Sequence, residues 1–590
     1  MTGWSISTEE GTVMASEITI ETDVLVVGGG IAGCFAAIKA KDKGLDVVIV
    51  DKAYVAKSGG TAAAGAGYMM FNPDWGHDLQ ACMNAIARNG EYLNDHEWTE
   101  VIMRDSLATY EDLVSWGVRF PAANGKVGDQ YQPLDMRDSS GMRSLFGQVF
   151  IRRGNFHVLR KQVVKSGVKV MARIMVADFL RRNGEVVGAI GFSIDNNDLY
   201  VFKAKATIVS TGVNSFKPAG AGISCLTGDG DAMAYRAGAE VTGKEFPSKF
   251  TTIAAYPQWR SYAGFVAYPR FTDAEGESIG LRNIDNVGFW DLAMDNVIHT
   301  GRGPVVWNLE AATQEDIEAI RKAVQLSEGS DVMLTRTGVV KPGAKIQLAG
   351  GAGAGSSDSM TGGIWPVNTN CATNVPGLYA AGECCATRYL GSVHTARGFG
   401  LTASAVTGAR AGRAAAEYAL CVRKSTIDEE ELLRLKKTVC LPIERKGGFT
   451  PGWVTQVLQN TMLPYFILHI KHEKRLQAAL TTVEFLRDHL VPKLTAKDSH
   501  ELRLAHETRN MVLNAEMILR ASLFRTESRG QHYREDYPRR EDPVWLAWVK
   551  LKEEQGEMKA SRVPIPKKWW PDLKKQYEER YPQRFLNEQA

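Results

Sequence analysis

Residues 19–51, TIETDVLVVGGGIAGCFAAIKAKDKGLDVVIVD, constrain the fold of this chain more than any other stretch. An apolar run, Val24–Val27, leads into three glycines; an Ala-rich segment follows, and a second apolar run ends on Asp51. The pattern predicts a strand, a tight turn, a helix and a parallel strand, which is one complete βαβ unit. In such a unit Gly28 permits the turn, Gly30 lets the backbone approach a pyrophosphate, and Gly33 allows helix and strand to pack closely. The helix N-terminus contributes unpaired N–H groups and a positive dipole end. Asp51, eighteen residues past Gly33, stands where a carboxylate accepts hydrogen bonds from ribose hydroxyls.

Gly-rich turns also follow strands for packing alone, so a second, independent segment is needed. Residues 376–383 (PGLYAAGE) read as a turn and a short apolar strand ending in Gly382-Glu383, and an Ala/Gly-rich helix is predicted from about 402 to 419. Two half-motifs more than three hundred residues apart mean that one domain is split by an insertion.

With 590 residues the chain has room for two to four domains. Its 70 Lys+Arg against 67 Asp+Glu leave a formal charge of only +3, which argues against nucleic-acid binding by bulk charge. The first twenty residues carry Glu9, Glu10 and Glu17 and no apolar run of signal-peptide length. No later run reaches the roughly eighteen apolar residues of a membrane span, so a cytoplasmic protein is expected. The eight cysteines include no C-x-x-C pair, so no metal or cluster site is readable. Should electrons leave through an iron–sulfur cluster, a ferredoxin-like partner subunit must hold it.

Five segments, in order, carry a family resemblance: KSGGTAAAGAG (57–67), TGDGDAMAYRAGAEVTGKEF (227–246), VIHTGRGPVVWNL (297–309), TGGIWPVNTNCATNVPGLYAAGE (361–383), which ends in the returning strand, and RTESRGQHYREDY (525–537). Together they resemble the flavoprotein subunits of succinate dehydrogenase, fumarate reductase, L-aspartate oxidase and adenylylsulfate reductase. The resemblance implies an α/β fold: a split Rossmann-type FAD-binding domain (1–240 and 351–425) with an inserted α+β capping domain (241–350). A C-terminal helical bundle (426–540) and a tail (541–590) follow. It also implies that Gly28, Gly30, Gly33, Asp51, Lys52, Ser58, Gly60, Thr61, Gly212, Asp229 and Glu383 line the FAD. Asp229 also sits just ahead of a helix, where capping alone would explain an acid.

The chain departs from the family in ways that matter. Relatives with covalent flavin carry a histidine in the loop after the acidic strand, whereas no histidine lies between residues 51 and 76 here, so non-covalent FAD is expected. The places of two dicarboxylate-holding histidines read EFPSKF and SSDSMTGG, with Asp358 near one of them, and an acid there repels a substrate carboxylate. SVHTARGFG (392–400) resembles the family's S-V-H-G-A-N-R-L-G, which makes His394 a candidate at the flavin edge and Arg397 a candidate FAD ligand. In the cap, VAYPRFTDAEG (266–276) resembles a stretch of adenylylsulfate reductase α subunits, and Arg270 falls on its arginine. Arg270 and Arg302, the latter in the GRG turn, are the remaining catalytic candidates. A guanidinium facing the flavin would grip an anionic substrate bidentately, whereas a solvated arginine would do nothing.

Beyond residue 425, Leu476, Ala479, Val483 and Leu490, and Leu504, Met511, Ala515 and Ile518, recur at helical spacing and predict amphipathic helices with a turn at Pro492. The tail's Trp545, Trp548, Trp569 and Trp570 suit covering a surface, either of a partner or of the same chain. Three readings stay open: a two-electron flavoenzyme acting on an activated C=C or C–C bond of a small acidic or carbonyl-bearing substrate, an adenylylsulfate-reductase-like α subunit, and an electron-relay subunit with no substrate of its own. Oligomeric state is open as well.

Overall fold

The computed structural model describes residues 16–63, 66–120, 145–151, 156–217, 225–246, 248–249, 253–254, 259–260, 262–279, 288–327, 338–348, 355–356, 362–393, 398–423, 426–581 and 583–584. Its main sheet contains β1 (Glu17–Val27), β2 (Val47–Asp51), β3 (Lys169–Ala172), β4 (Ile174–Arg182), β5 (Glu185–Ser193), β6 (Leu199–Val209) and β7 (Leu378–Ala380). The strand order is β3-β2-β1-β6-β5-β4, and β7 pairs with the far end of β6. Strands β3, β2, β1, β6 and β7 run parallel, while β5 and β4 continue as an antiparallel meander. Val24, Leu25 and Val26 are wholly buried, as a strand covered on both faces requires.

The chain reaches β7 only after the insertion, and two glycines fix how it returns. Helix α1 (Ile31–Lys41) lies against a later helix, Phe399–Cys421, whose Gly408 and Gly412 face it. A Cβ on either glycine would sit 2.3 Å from a backbone oxygen, of Ala32 and Ala36 respectively. Only glycine lets the two backbones meet this closely, so this crossing welds the halves of the split domain together.

The described part of the insertion packs helices Gly288–His299 and Gln314–Ser327 with three short antiparallel strands, Phe271–Thr272, Val306–Asn308 and Lys345–Gln347. Its own core centres on Trp307, with Phe265 edge-on at 4.7 Å.

Ahead of the insertion comes α2 (Asp229–Arg236), and after the split domain come the C-terminal helices α3 (Glu429–Glu444), α4 (Pro451–Met462), α5 (Glu473–Phe485) and α6 (Ser499–Phe524). Pro492 falls in the turn Val491–Lys493, as its sequence position predicts. Helix α6 differs from the amphipathic expectation because its polar face is buried too. Val512, Ile518 and Leu519 join the bundle core. Glu507, Asn510 and Asn514 turn to the split α/β domain, where they find polar partners.

The tail docks on its own chain. It forms a hairpin of β8 (Ala547–Glu554) and β9 (Glu557–Pro564), and β8 pairs with Val241–Thr242. Trp548 Nε1 donates to the Leu93 carbonyl at 2.8 Å. The buried Arg388 guanidinium is sandwiched between the rings of Trp365 and Trp548, at 4.1 and 4.4 Å. Among the described residues no helix is long and apolar enough to cross a membrane.

Candidate functional site

The C-terminal ends of β1, β2 and β6 and the start of α1 border one cavity, the usual ligand position in an open parallel sheet. Segments from both halves of the split domain line it, Gly28–Ala32 from one and Gly382-Glu383 from the other. The fingerprint glycines divide by cause. Gly28 has φ +104°, and a Cβ there would lie 2.4 Å from the Ser210 carbonyl oxygen; a Cβ on Gly33 would lie 1.9 Å from the Gly28 oxygen. Both are demanded by the protein's own packing, and Gly33 does not line the cavity. Gly30 has an ordinary φ of −70°, and its Cβ would meet only the Thr61 hydroxyl at 3.2 Å. The protein constrains Gly30 through this one hydroxyl and no backbone atom, so its lack of a side chain also fits a ligand that presses against the backbone, as a diphosphate does.

Asp51 at the end of β2 is fixed by main-chain donors. Its Oδ2 accepts from Gly29 N–H at 2.7 Å and its Oδ1 from Ala53 N–H at 2.6 Å, with the Ser58 hydroxyl at 3.3 Å. The carboxylate is oriented yet keeps lone pairs for hydroxyl donors. Thr61 Oγ1 accepts the Ile31 N–H at 3.0 Å and so ties the 57–63 segment to the start of α1. Gly60, Gly212 and Glu383 lie in the same wall.

Lys52 and Asp229 also line the cavity, but their charges answer each other. Lys52 Nζ donates to Asp229 Oδ2 (2.8 Å), Thr227 Oγ1 (2.7 Å) and Glu507 Oε1 (2.9 Å). Asp229 does not cap α2, whose N-cap is Gly228 in the left-handed region; its carboxylate instead takes Lys52, Thr227 and Asn510. Glu507, buried on α6, is the functional neighbour that sequence reading missed. Burial alone would raise its carboxyl pKa, yet Lys52, Lys217 and Arg503 hold it far below the usual carboxylate range. No local motif marks Glu507; an i,i+4 arginine such as Arg503 is ordinary on a helix surface, and only Lys52 and Lys217, both distant in sequence, reveal it. Met175, Leu226 and Met233 supply apolar wall that carried no sequence signal either.

The catalytic candidates are spread out. Arg302 ion-pairs with Asp273, which also accepts the N–H groups of Glu275 and Glu277, so it braces a cap turn and stands outside the cavity wall. Arg270 is exposed on the cap and has no side-chain partner among the described residues. His394, Arg397 and Asp358 lie outside the described residues. Among the described residues there is no group of three or more His, Cys, Asp or Glu that could hold a metal ion.

The FAD binding domain family matches residues 23–288, and the fumarate reductase flavoprotein C-terminal family matches residues 455–577. The chain is 28% identical to a fumarate reductase (CoM/CoB) subunit of Methanothermobacter marburgensis over 577 residues, covering 91% of this chain and 98% of that protein. It is 26% identical to the fumarate reductase flavoprotein subunit of Mycobacterium tuberculosis over 613 residues, covering 95% and 100%. Among solved structures, adenylylsulfate reductase of Archaeoglobus fulgidus superposes with a TM-score of 0.77 at 23% identity, over 93% of this chain and 97% of that one. An E. coli quinol fumarate reductase superposes with a TM-score of 0.76 at 18% identity, over the same shares. At these identities the structural likeness speaks for the fold.

Proposed function

Because the chain belongs to the fumarate reductase and succinate dehydrogenase flavoprotein family and is an FAD-dependent oxidoreductase, we propose that it reduces or forms a C=C bond beside a carboxylate or carbonyl group. One observation carries the cofactor half of this reading: the cavity is walled by both separated fingerprints, and Gly30 leaves open the space that a diphosphate needs. The bound flavin supplies hydride transfer between its ring and the substrate carbon.

The chain's own residues would do the rest. The first turn of α1 faces the diphosphate with N–H donors, Asp51 accepts from ribose hydroxyls, and the 57–63 segment, tied by Thr61, carries Ser58 and Gly60 along the cofactor. No histidine stands between residues 51 and 76, where relatives with covalent flavin carry theirs, and on this reading the FAD is held without a covalent link. Arg270, free of a described partner, is the cap guanidinium available to grip the substrate's anionic group. Relatives are named as subunits, and electrons would pass through a partner bearing an iron–sulfur cluster.

A second reading rests on two observations in the sequence. The PRFTDAEG stretch around Arg270 resembles adenylylsulfate reductase α subunits, and the places of two dicarboxylate histidines hold none. Under that reading the anion at Arg270 is a sulfur oxyanion carried on a nucleotide. The test is to reduce the FAD-loaded protein under argon and follow its reoxidation in Arg270→Lys and Arg302→Lys variants. Lysine keeps the charge but loses the planar fork. Arg270→Lys should slow reoxidation by the active acceptor at least tenfold at unchanged FAD content. Loss confined to Arg302→Lys would move the role there.

A further inference from the structure

A second cavity, of about 650 Å³, opens between β4, the end of α2, α3 and α6. It belongs to neither the flavin cleft nor the cap. Three elements present one part to each cavity. On β4, Ile174–Val176 line the flavin cleft while Asp178 and Arg181 line the second cavity. On α2, Asp229 serves the first, and Tyr235 and Arg236 the second. On α6, Glu507 reaches Lys52 while the adjacent His506 and the nearby Arg509 face the second cavity.

At two places in this cavity guanidinium groups locally outnumber carboxylates. Asp178 is shared by Arg236, at 3.0 Å, and Arg509, at 3.6 Å. Glu431 is shared by Arg434, at 2.7 Å, and Arg181, at 3.7 Å. Each cluster therefore has two guanidinium groups on one carboxylate and an excess of one positive charge. The Arg236 charge, and then burial, lower the pKa of the Arg509 guanidinium to about 10. A fifth arginine, Arg487, is taken by Asp488 and Glu516, and the exposed Glu553 is the remaining acid of the lining.

Two further features suit a ligand rather than water alone. The Tyr235 hydroxyl is buried and has no hydrogen-bond partner among the described residues, although its side chain lines this cavity. Between the clusters the wall is apolar, with Phe179, Leu435 and Leu494. Guanidinium pairs grip oxyanions bidentately, and an apolar wall between them takes a flat or aliphatic body.

We propose that this cavity is a binding site for an organic phosphate, a dianion on an apolar body, held by the Asp178 and Glu431 arginine clusters. The test is calorimetric titration of the FAD-loaded protein with phenyl phosphate at low ionic strength. Saturable one-to-one binding is expected, at least tenfold weaker in Arg434→Gln and in Arg509→Gln. Arg434 is largely exposed, so its variant stays informative if Arg509→Gln fails to fold. Glu431→Gln should tighten binding, because it removes the acid that competes with the ligand; a purely structural Glu431 would give unchanged or weaker binding. Inorganic phosphate should bind at least tenfold more weakly, since it leaves the apolar wall unused. No saturable binding by the unmodified protein, undiminished affinity in both arginine variants, or weakening by Glu431→Gln would each overturn the proposal.

Discussion

Lys52 Nζ lies 2.9 Å from Glu507 Oε1 although 455 positions separate the two residues. This contact joins the end of the second fingerprint strand to the middle of the helical domain, and Lys217 and Arg503 complete the shell around the same carboxylate. The helical domain thereby braces the residue that also holds Asp229 in the flavin cavity wall.

Removing the carboxylate should be costly. Glu507→Gln would leave three cations around a neutral amide; the Glu507 side chain is 1% exposed but the cations are 18–24% exposed, so the cost should fall at or below the lower end of the roughly 3–5 kcal/mol for breaking a fully buried pair from one side. A lower melting temperature and weaker FAD retention are expected in the same variant. Normal FAD affinity with normal melting would show that the contact is incidental.

The pH dependence has a definite sign. The folded-state pKa of Glu507 is depressed, so its stabilisation is fully present above the unfolded value of about 4.3 and is lost as pH falls through the folded value. The melting-temperature gap between wild type and Glu507→Gln should be constant from pH 8 to 5 and should shrink below about pH 4. A gap that instead closes between pH 6 and 8 would assign the effect to another group.

Gly30→Val should abolish FAD binding while circular dichroism shows the helical domain still folded, because a Cβ at residue 30 would press on the Thr61 hydroxyl, at 3.2 Å, and on no backbone atom. Gly33→Ala should damage the fold itself, since its Cβ would fall 1.9 Å from a backbone oxygen. Stoichiometric FAD in Gly30→Val would remove the turn from the cofactor site.

Acid precipitation should release all the flavin into the supernatant, because the segment after Asp51 offers no histidine for a covalent link. Flavin fluorescence remaining on the washed polypeptide would contradict this.

What the sequence made legible was local and periodic. The βαβ unit, the returning strand before Glu383, the helix at 399–421 and the turn at Pro492 each carry a short-range signal in glycine, proline or apolar spacing. The burial of the polar face of α6 was not legible, because Glu507 and Asn510 look like a solvated face until Lys52 and Asp229 are brought against them from far away in the chain. The tail shows the same limit. Its tryptophans announced a covering role, but Arg388 and Leu93, which hold Trp548, lie about 160 and 455 residues upstream.

The most direct measurement of the proposed reaction is reoxidation of the dithionite-reduced, FAD-loaded protein under argon with a panel of fumarate, other enoates and adenylylsulfate. At least one enoate of the panel should restore the oxidised flavin spectrum at one molecule per FAD and yield the saturated acid. Reoxidation by adenylylsulfate alone, or by none of these acceptors, would contradict reduction of a C=C bond.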